Sequence, residues 1–168
     1  MDCNGASSAQ TRDHSHSAGL PACAELFEAG QREIHAGTAG VWLASDFARA
    51  VEGEEVFVAV AAEKTVAGFV TLWRPDNFVH FLHVSAAFRR CGVGRKLLAC
   101  VRASVDGPLE LKCAPHNTAA LAFYARLGWT ETERDPAGAS PYVRMRLEAL
   151  PNTSSSAGLD PCRPQISS

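Results

Sequence analysis

The chain has 168 residues, 46% of them hydrophobic and 20% charged, which is enough for one packed domain and excludes a wholly disordered chain. Its 16 basic and 18 acidic side chains leave a formal charge of −2, so no global field is available to hold a nucleic acid or an anionic membrane. The longest apolar stretch, Val56 to Ala62, falls far short of the about 20 residues that a membrane-spanning helix needs.

Residues 1–19 contain no Val, Ile, Leu, Phe, Tyr or Trp. A segment that cannot bury apolar surface cannot offset the entropy of ordering it, so a disordered N-terminal arm with no strand is expected there. The opening Met1-Asp2-Cys3-Asn4-Gly5 has neither the basic flank nor the apolar run of a secretory signal, and a cytoplasmic location is the default expectation. Pro21 suits the first turn of a helix carrying Leu26, Phe27 and Ile34. Ser45 or Asp46 suits the cap of a short second helix through Val51. Val56 to Ala62 and Val66 to Trp73 are β-rich runs joined by Glu63-Lys64-Thr65, a hairpin pattern. Asn77 to Val84 reads as a third strand.

A turn with two glycines follows, then an amphipathic helix with Leu97, Leu98, Val101 and Val105 on one face, ended by Asp106-Gly107-Pro108. Leu109 to Cys113 is a strand, and Asn117 caps a helix with Ala120, Leu121, Tyr124 and Leu127 inward, stopped by Gly128. Trp129 to Glu133 and Tyr142 to Leu147 are the last strands, with Asp135-Pro136-Ala137-Gly138 turning between them. From Pro151 the composition is again Pro, Ser, Asn and Gly, so a disordered tail is expected over 151–168 and a single α/β domain, a mixed sheet covered by helices, over 20–150. The six cysteines (Cys3, Cys23, Cys91, Cys100, Cys113 and Cys162) have no metal-ligand spacing and read as reduced thiols. His14 and His16 lie in a polar tail and read as solvated, so no metal is expected.

The chemistry concentrates in Leu82-His83-Val84-Ser85-Ala86-Ala87-Phe88-Arg89-Arg90-Cys91-Gly92-Val93-Gly94-Arg95-Lys96. A strand that enters a helix through a two-glycine turn gathers backbone N–H groups at a positive helix end, a geometry that suits an anion. Between Asp76 and Asp106 there is no acidic residue, whereas Arg89, Arg90, Arg95, Lys96 and Arg102 are all basic. A solvated helix start is the bland explanation of such a run, but strand, glycines and charge coincide here in favour of a phosphate. There is no Gly-Lys-Ser or Gly-Lys-Thr for a P-loop, and Leu97 stands where a dinucleotide turn needs its third glycine.

Arg89-Arg90-Cys91-Gly92-Val93-Gly94, after a strand reading Leu-x-Val, resembles the signature of the GNAT superfamily of N-acetyltransferases: Gln or Arg, two residues, Gly, any residue, Gly or Ala. Asn117 to Trp129, with Phe123-Tyr124 and Leu127-Gly128-Trp129, is similar to that family's second motif. The likeness extends more loosely from Pro21 to Leu147. It implies a mostly antiparallel mixed sheet flanked by helices, with a cleft where the strand ending at Val84 splays from the strand ending near Cys113. In that cleft acetyl-CoA would bind as co-substrate, the main chain of Leu82, His83 and Val84 pairing with its pantetheine arm. Arg89, Arg90, Cys91, Gly92, Val93, Gly94 and Arg95 would wrap the pyrophosphate, chiefly through amides. Asn117, Ala120 and Phe123 would line the cofactor.

By the same likeness Tyr124 protonates the departing thiolate, and His80 takes the amine proton, with His83 supporting the packing and Asp76 a third candidate base. Cys91 and Cys113 are kept as structural, because acyl transfer in the family goes directly from CoA to amine. The acceptor would be a small-molecule amine or a protein amine. Trp42, Trp73, Asp76 and Phe78 fall near the expected acceptor mouth and hint at an aromatic amine. Homodimers are common among relatives, although no exposed apolar stripe demands one. The sequence departs from the family in its missing first strand and in Ala86 where a proline is usual. The missing strand supports the competing reading, a degenerate fold that binds acyl-CoA or a protein partner without turnover.

Overall fold

The computed structural model describes the backbone of residues 8–12, together with residues 19–35, 42–138 and 140–149. Among the described residues four helices flank two four-stranded sheets, one in the order β1 (Ser8–Arg12), β2 (Glu55–Val60), β3 (Val66–Leu72), β5 (Leu82–Val84) and the other in the order β4 (Phe78–Val79), β6 (Leu109–Cys113), β8 (Tyr142–Leu147), β7 (Thr130–Asp135). None of the helices among the described residues is long and apolar enough to cross a membrane.

The strand β1 (Ser8–Arg12) corrects the expectation that none precedes the first helix. It runs antiparallel along β2, from Ser8 opposite Val60 to Arg12 opposite Val56. Pairing at a sheet edge is made by the main chain and needs no apolar alternation, which is why composition missed it. The rest of the expected arm, with His14 and His16, and the expected tail lie outside the described residues.

Helix α1 (Leu20–Ile34) has Pro21 in its first turn and buries Cys23, Phe27 and Gln31, spaced four apart on one face. The short α2 (Phe47–Ala50) follows a 3-10 turn at Ala44–Asp46. Asp46 does not cap α2 as expected. Its carboxylate instead accepts the Leu43 N–H at 3.0 Å, closing the preceding turn. The hairpin of β2 (Glu55–Val60) and β3 (Val66–Leu72) forms as read, and it is buried on both faces. Val56, Val58 and Phe69 pack under α1 and α2, whereas Phe57, Ala59, Val70 and Leu72 pack under α3 (Val93–Ala103). Such a sandwiched strand needs apolar side chains at consecutive positions.

The third strand read from the sequence is two. β4 (Phe78–Val79) runs parallel to β6 (Leu109–Cys113), while β5 (Leu82–Val84) runs antiparallel to β3. His80 and Phe81 lie at the break. Phe81 keeps its hydrogen bonds there through Thr71, whose N–H donates to the Phe81 carbonyl at 2.9 Å and whose hydroxyl accepts the Phe81 N–H at 3.1 Å. The break transfers one run of chain from one sheet to the other, and the two sheets part between β5 and β6. A hydrophobicity pattern carries no sign of this, because Phe78-Val79-His80-Phe81-Leu82-His83-Val84 is one mostly apolar run with no turn residue in it.

Helix α4 (Thr118–Arg126) follows β6, and β7 (Thr130–Asp135) and β8 (Tyr142–Leu147) complete the second sheet. β7 stands at the end of that sheet with Thr130 to Arg134 all exposed. Glu110 on β6 accepts from Arg144 at 2.9 Å and Arg146 at 3.0 Å on β8, so this face is a ladder of alternating charge.

Candidate active site

β5 borders the parting of the sheets. Ser85 N–H donates to Ala67 and Thr71 N–H to Phe81, and His83 is opposite Phe69 in the same register. In an antiparallel ladder every second residue bonds to its neighbour, so the main chain of His83 is turned to β3 while that of Leu82 and Val84 is turned to the opening. The Val84 carbonyl accepts from Arg89 Nε at 3.3 Å, which leaves the Leu82 N–H and carbonyl and the Val84 N–H directed into the cleft. Of the three residues named for main-chain contacts, Leu82 and Val84 are therefore placed for them and His83 is not. The His83 ring is instead buried on the α1 side, 5.4 Å from Phe69 and 6.1 Å from Phe27. Burial pushes it down from 6.5 to about 4, against the opposing pull of Glu33, with Arg89 adding to the fall. It is uncharged at neutral pH, as a packing residue should be.

The glycine turn is built from positive-φ residues, Arg90 at 64° and Gly92 at 79°. Gly92 begins α3 without a side-chain cap. The first helical bond is Lys96 N–H to the Gly92 carbonyl at 3.0 Å, so the N–H groups of Val93, Gly94 and Arg95 precede it and have no intrahelical acceptor. A Cβ at Gly94 would stand 3.2 Å from Phe123 Cζ and 3.6 Å from Val84 Cγ2, so the second glycine allows α3, α4 and β5 to meet at this point. Ala86, in place of the usual proline, still permits the 3-10 turn of Ala86–Phe88.

Arg89 does not turn its guanidinium to this amide cluster. It forks onto both carboxylate oxygens of Glu33 on α1, at 2.9 and 2.6 Å, and that hydrogen bond holds the Glu33 carboxyl below its usual range. Arg90 and Arg95 are exposed beside the turn. Cys91 corrects the reading of six reduced thiols: half-buried in the glycine turn, it is disulfide-bonded. Cys23, Cys100 and Cys113 are thiols.

On α4, Asn117 Oδ1 accepts the Ala120 N–H at 3.1 Å, the cap that the sequence suggested. Ala120 and Phe123 are half-buried and pack against the α3 core. Tyr124 is buried between Phe123 and Trp129. Burial, reinforced by nearby Cys113, raises its phenol above the usual range, so it holds a proton to donate at any physiological pH. Cys113 is pushed up to about 11 by burial, which makes its thiolate scarce and disfavours it as an acyl carrier.

His80 stands at the break between β4 and β5. Its ring lies 4.7 Å from Phe78 and 6.3 Å from Phe81, and its Nδ1 is 2.6 Å from Glu54 Oε1. The structure thus groups Asn117, Ala120, Phe123 and Tyr124 with the glycine turn, and it pairs His80 with Glu54 at the break between β4 and β5. Asp76 is exposed on the turn before β4. Neither Glu54 nor Glu33 was legible as a site residue, because each meets its partner only after the sheet and α1 have folded. Among the described residues no group of three His, Cys, Asp or Glu side chains is placed to hold a metal ion.

No curated protein matches the sequence significantly. Among solved structures it is similar to an acetyltransferase of the GNAT family from Staphylococcus aureus, with 15% identity and TM-score 0.66 over 84% of this chain and 99% of that one. It is also similar to the ribosomal-protein-S18-alanine N-acetyltransferase of Escherichia coli, with 20% identity and TM-score 0.60 over 89% and 99%. A phosphinothricin acetyltransferase from Sinorhizobium meliloti, crystallised with acetyl-CoA, superposes with TM-score 0.64 at 15% identity over 90% and 94%. These likenesses establish the fold. The sequence profile of the acetyltransferase (GNAT) family matches residues 22–129, a span that takes in most of α1, the strands β2 to β6, the glycine turn and the capped α4, and on that ground the chain belongs to the GNAT family.

Proposed function

We propose that the protein transfers an acetyl group from acetyl-CoA to a primary amine, carried by a small molecule or a protein, by direct attack. The observation that carries this reading is the uncapped start of α3, with its free amides beside the open edge of β5. Those amides would hold the pyrophosphate, the Leu82 and Val84 edge would pair with the pantetheine amides, and Asn117, Ala120 and Phe123 would line the arm. Acetyl-CoA bound to a GNAT-fold relative supports the choice of cofactor.

In the reaction the amine nitrogen attacks the thioester carbonyl carbon and the C–N bond forms. His80 takes the nitrogen's proton, either directly or through water. The C–S bond then breaks and the sulfur takes the Tyr124 proton. Amides preorganised at the β5 edge would stabilise the developing oxyanion. The competing reading, binding without turnover, drew its support from the absence of a first strand, and β1 removes that support.

Calorimetric titration with acetyl-CoA, with NAD as the control, is the first test, followed by turnover of a panel of amines. Tyr124→Phe is expected to lower kcat by about a hundredfold with acetyl-CoA affinity unchanged. Binding without turnover of any amine would return the competing reading, and no binding would end both.

A further inference from the structure

Glu54 is a charged residue placed where charge is costly. Its side chain is only 6% exposed, immediately before β2, with its N–H bonded to the Val51 carbonyl at 3.0 Å. A carboxylate removed from water must be compensated by a charged or donating partner. Its Oε2 has no hydrogen-bond partner among the described residues, and Oε1 meets His80 Nδ1 at 2.6 Å. The compensation therefore runs through a single imidazole.

That imidazole has a fixed place. His80 lies at the break between β4 and β5, where Thr71 ties both hydrogen-bonding groups of Phe81. Phe78 and Phe81 flank the ring. The side chain is 41% exposed and its Nδ1 is the nitrogen beside the buried acid, so Nε2 is the ring nitrogen left for a ligand.

We propose that Glu54 is the positioning residue for His80. It keeps the proton on Nδ1 and leaves the Nε2 lone pair as the basic atom facing the acceptor amine. When Nε2 takes the amine proton, the Nδ1 proton stays in place and the carboxylate stabilises the imidazolium, as the buried acid does in acid–histidine–nucleophile triads. The base role rests on the acetyltransferase reading above. The tautomer does not.

The deciding experiment is nitrogen-15 NMR of the neutral His80 ring in the full chain. The expected signal is that of the Nδ1-protonated form in the wild type, with the Nε2-protonated form appearing in Glu54→Met, which keeps the shape but removes the oxygen that accepts from Nδ1. Glu54→Gln, whose amide oxygen can still accept but carries no charge, serves as a second variant, and thermal unfolding confirms that each is folded. In turnover assays Glu54→Gln should lower kcat about tenfold or more and leave the KM for acetyl-CoA unchanged within about twofold. Adding it to His80→Gln should cost nothing further. A wild-type ring protonated at Nε2, or losses that multiply in the double variant, would overturn the assignment. If acetyl-CoA binds but no amine is acetylated, the function proposed above fails while the spectrum still decides whether Glu54 positions His80.

Discussion

The two sides of the cleft are made of different material. On the α3 and α4 side the candidate binding groups are main-chain amides, two glycines and a helix cap, all within short stretches of sequence. On the α1 side the candidate groups are side chains that meet across long separations: Glu54 with His80, and Glu33 with Arg89. A site made of backbone depends on what cannot be present, namely a side chain at a crowded glycine. A site made of side chains depends on partners, and it fails when one is missing.

The largest expected effect tests the first half of that contrast. Gly94→Glu places atoms where a Cβ alone would be 3.2 Å from Phe123, and it adds negative charge beside the proposed pyrophosphate site. Acetyl-CoA affinity should fall by about a hundredfold or more, or about 3 kcal/mol, measured by calorimetry, with the folded state retained. Wild-type affinity in this variant would mean that the cofactor does not use the turn.

Next come His83 and Gly30, on the α1 side. A Cβ at Gly30 would stand 2.0 Å from His83 Nδ1, and nothing but a shift of the buried ring or of α1 can relieve that overlap. Gly30→Ala should therefore destabilise the protein by about 1–3 kcal/mol, and His83→Ala in the same chain should restore part of the loss, seen in denaturant unfolding. The imidazole itself sets a pH dependence. Its folded value of about 4 lies below the unfolded 6.5, so its contribution is fully present above pH 6.5 and is lost as pH falls towards 4. The difference amounts to about 3 kcal/mol. His83→Gln should flatten that acid limb, and an unchanged limb would show that the ring titrates alike in the folded and unfolded chain.

The smallest effect is assigned to the residue that heads the basic motif. The Arg89 guanidinium is occupied by Glu33, and the pair is exposed enough to contribute only about 0–1 kcal/mol. Arg89→Gln should weaken acetyl-CoA binding by no more than about threefold, and a loss comparable to that of Gly94→Glu would mean that the fork opens to the phosphate.

The same contrast explains what the sequence could tell. The glycine turn, the Asn117 cap and the inward placing of Tyr124 were readable from local spacing: two glycines before a helix, a cap three residues before the amide it accepts, a tyrosine on the apolar side of a helix, with the proposed acid role of Tyr124 resting on the family likeness. His80 was readable only through a family likeness, and Glu54 not at all. The helices and most strands followed from periodicity, but the division of Asn77 to Val84 between two sheets did not. It arises where the Thr71 hydroxyl takes the Phe81 N–H, a tertiary contact that leaves no mark on the sequence of the strand. β1 was missed for a related reason, since a ladder of main-chain bonds leaves no mark on composition.

At the far end of the second sheet, β7 carries Thr130-Glu131-Thr132-Glu133-Arg134-Asp135, with everything before Asp135 exposed. An unpaired edge is an invitation to another chain, and charged residues on it withdraw that invitation. The protection is electrostatic, so its reach contracts with the Debye length, from about 30 Å at 0.01 M salt to about 3 Å at 1 M. Edge-to-edge association through β7 is thus expected to rise with ionic strength, independently of anything that happens in the cleft.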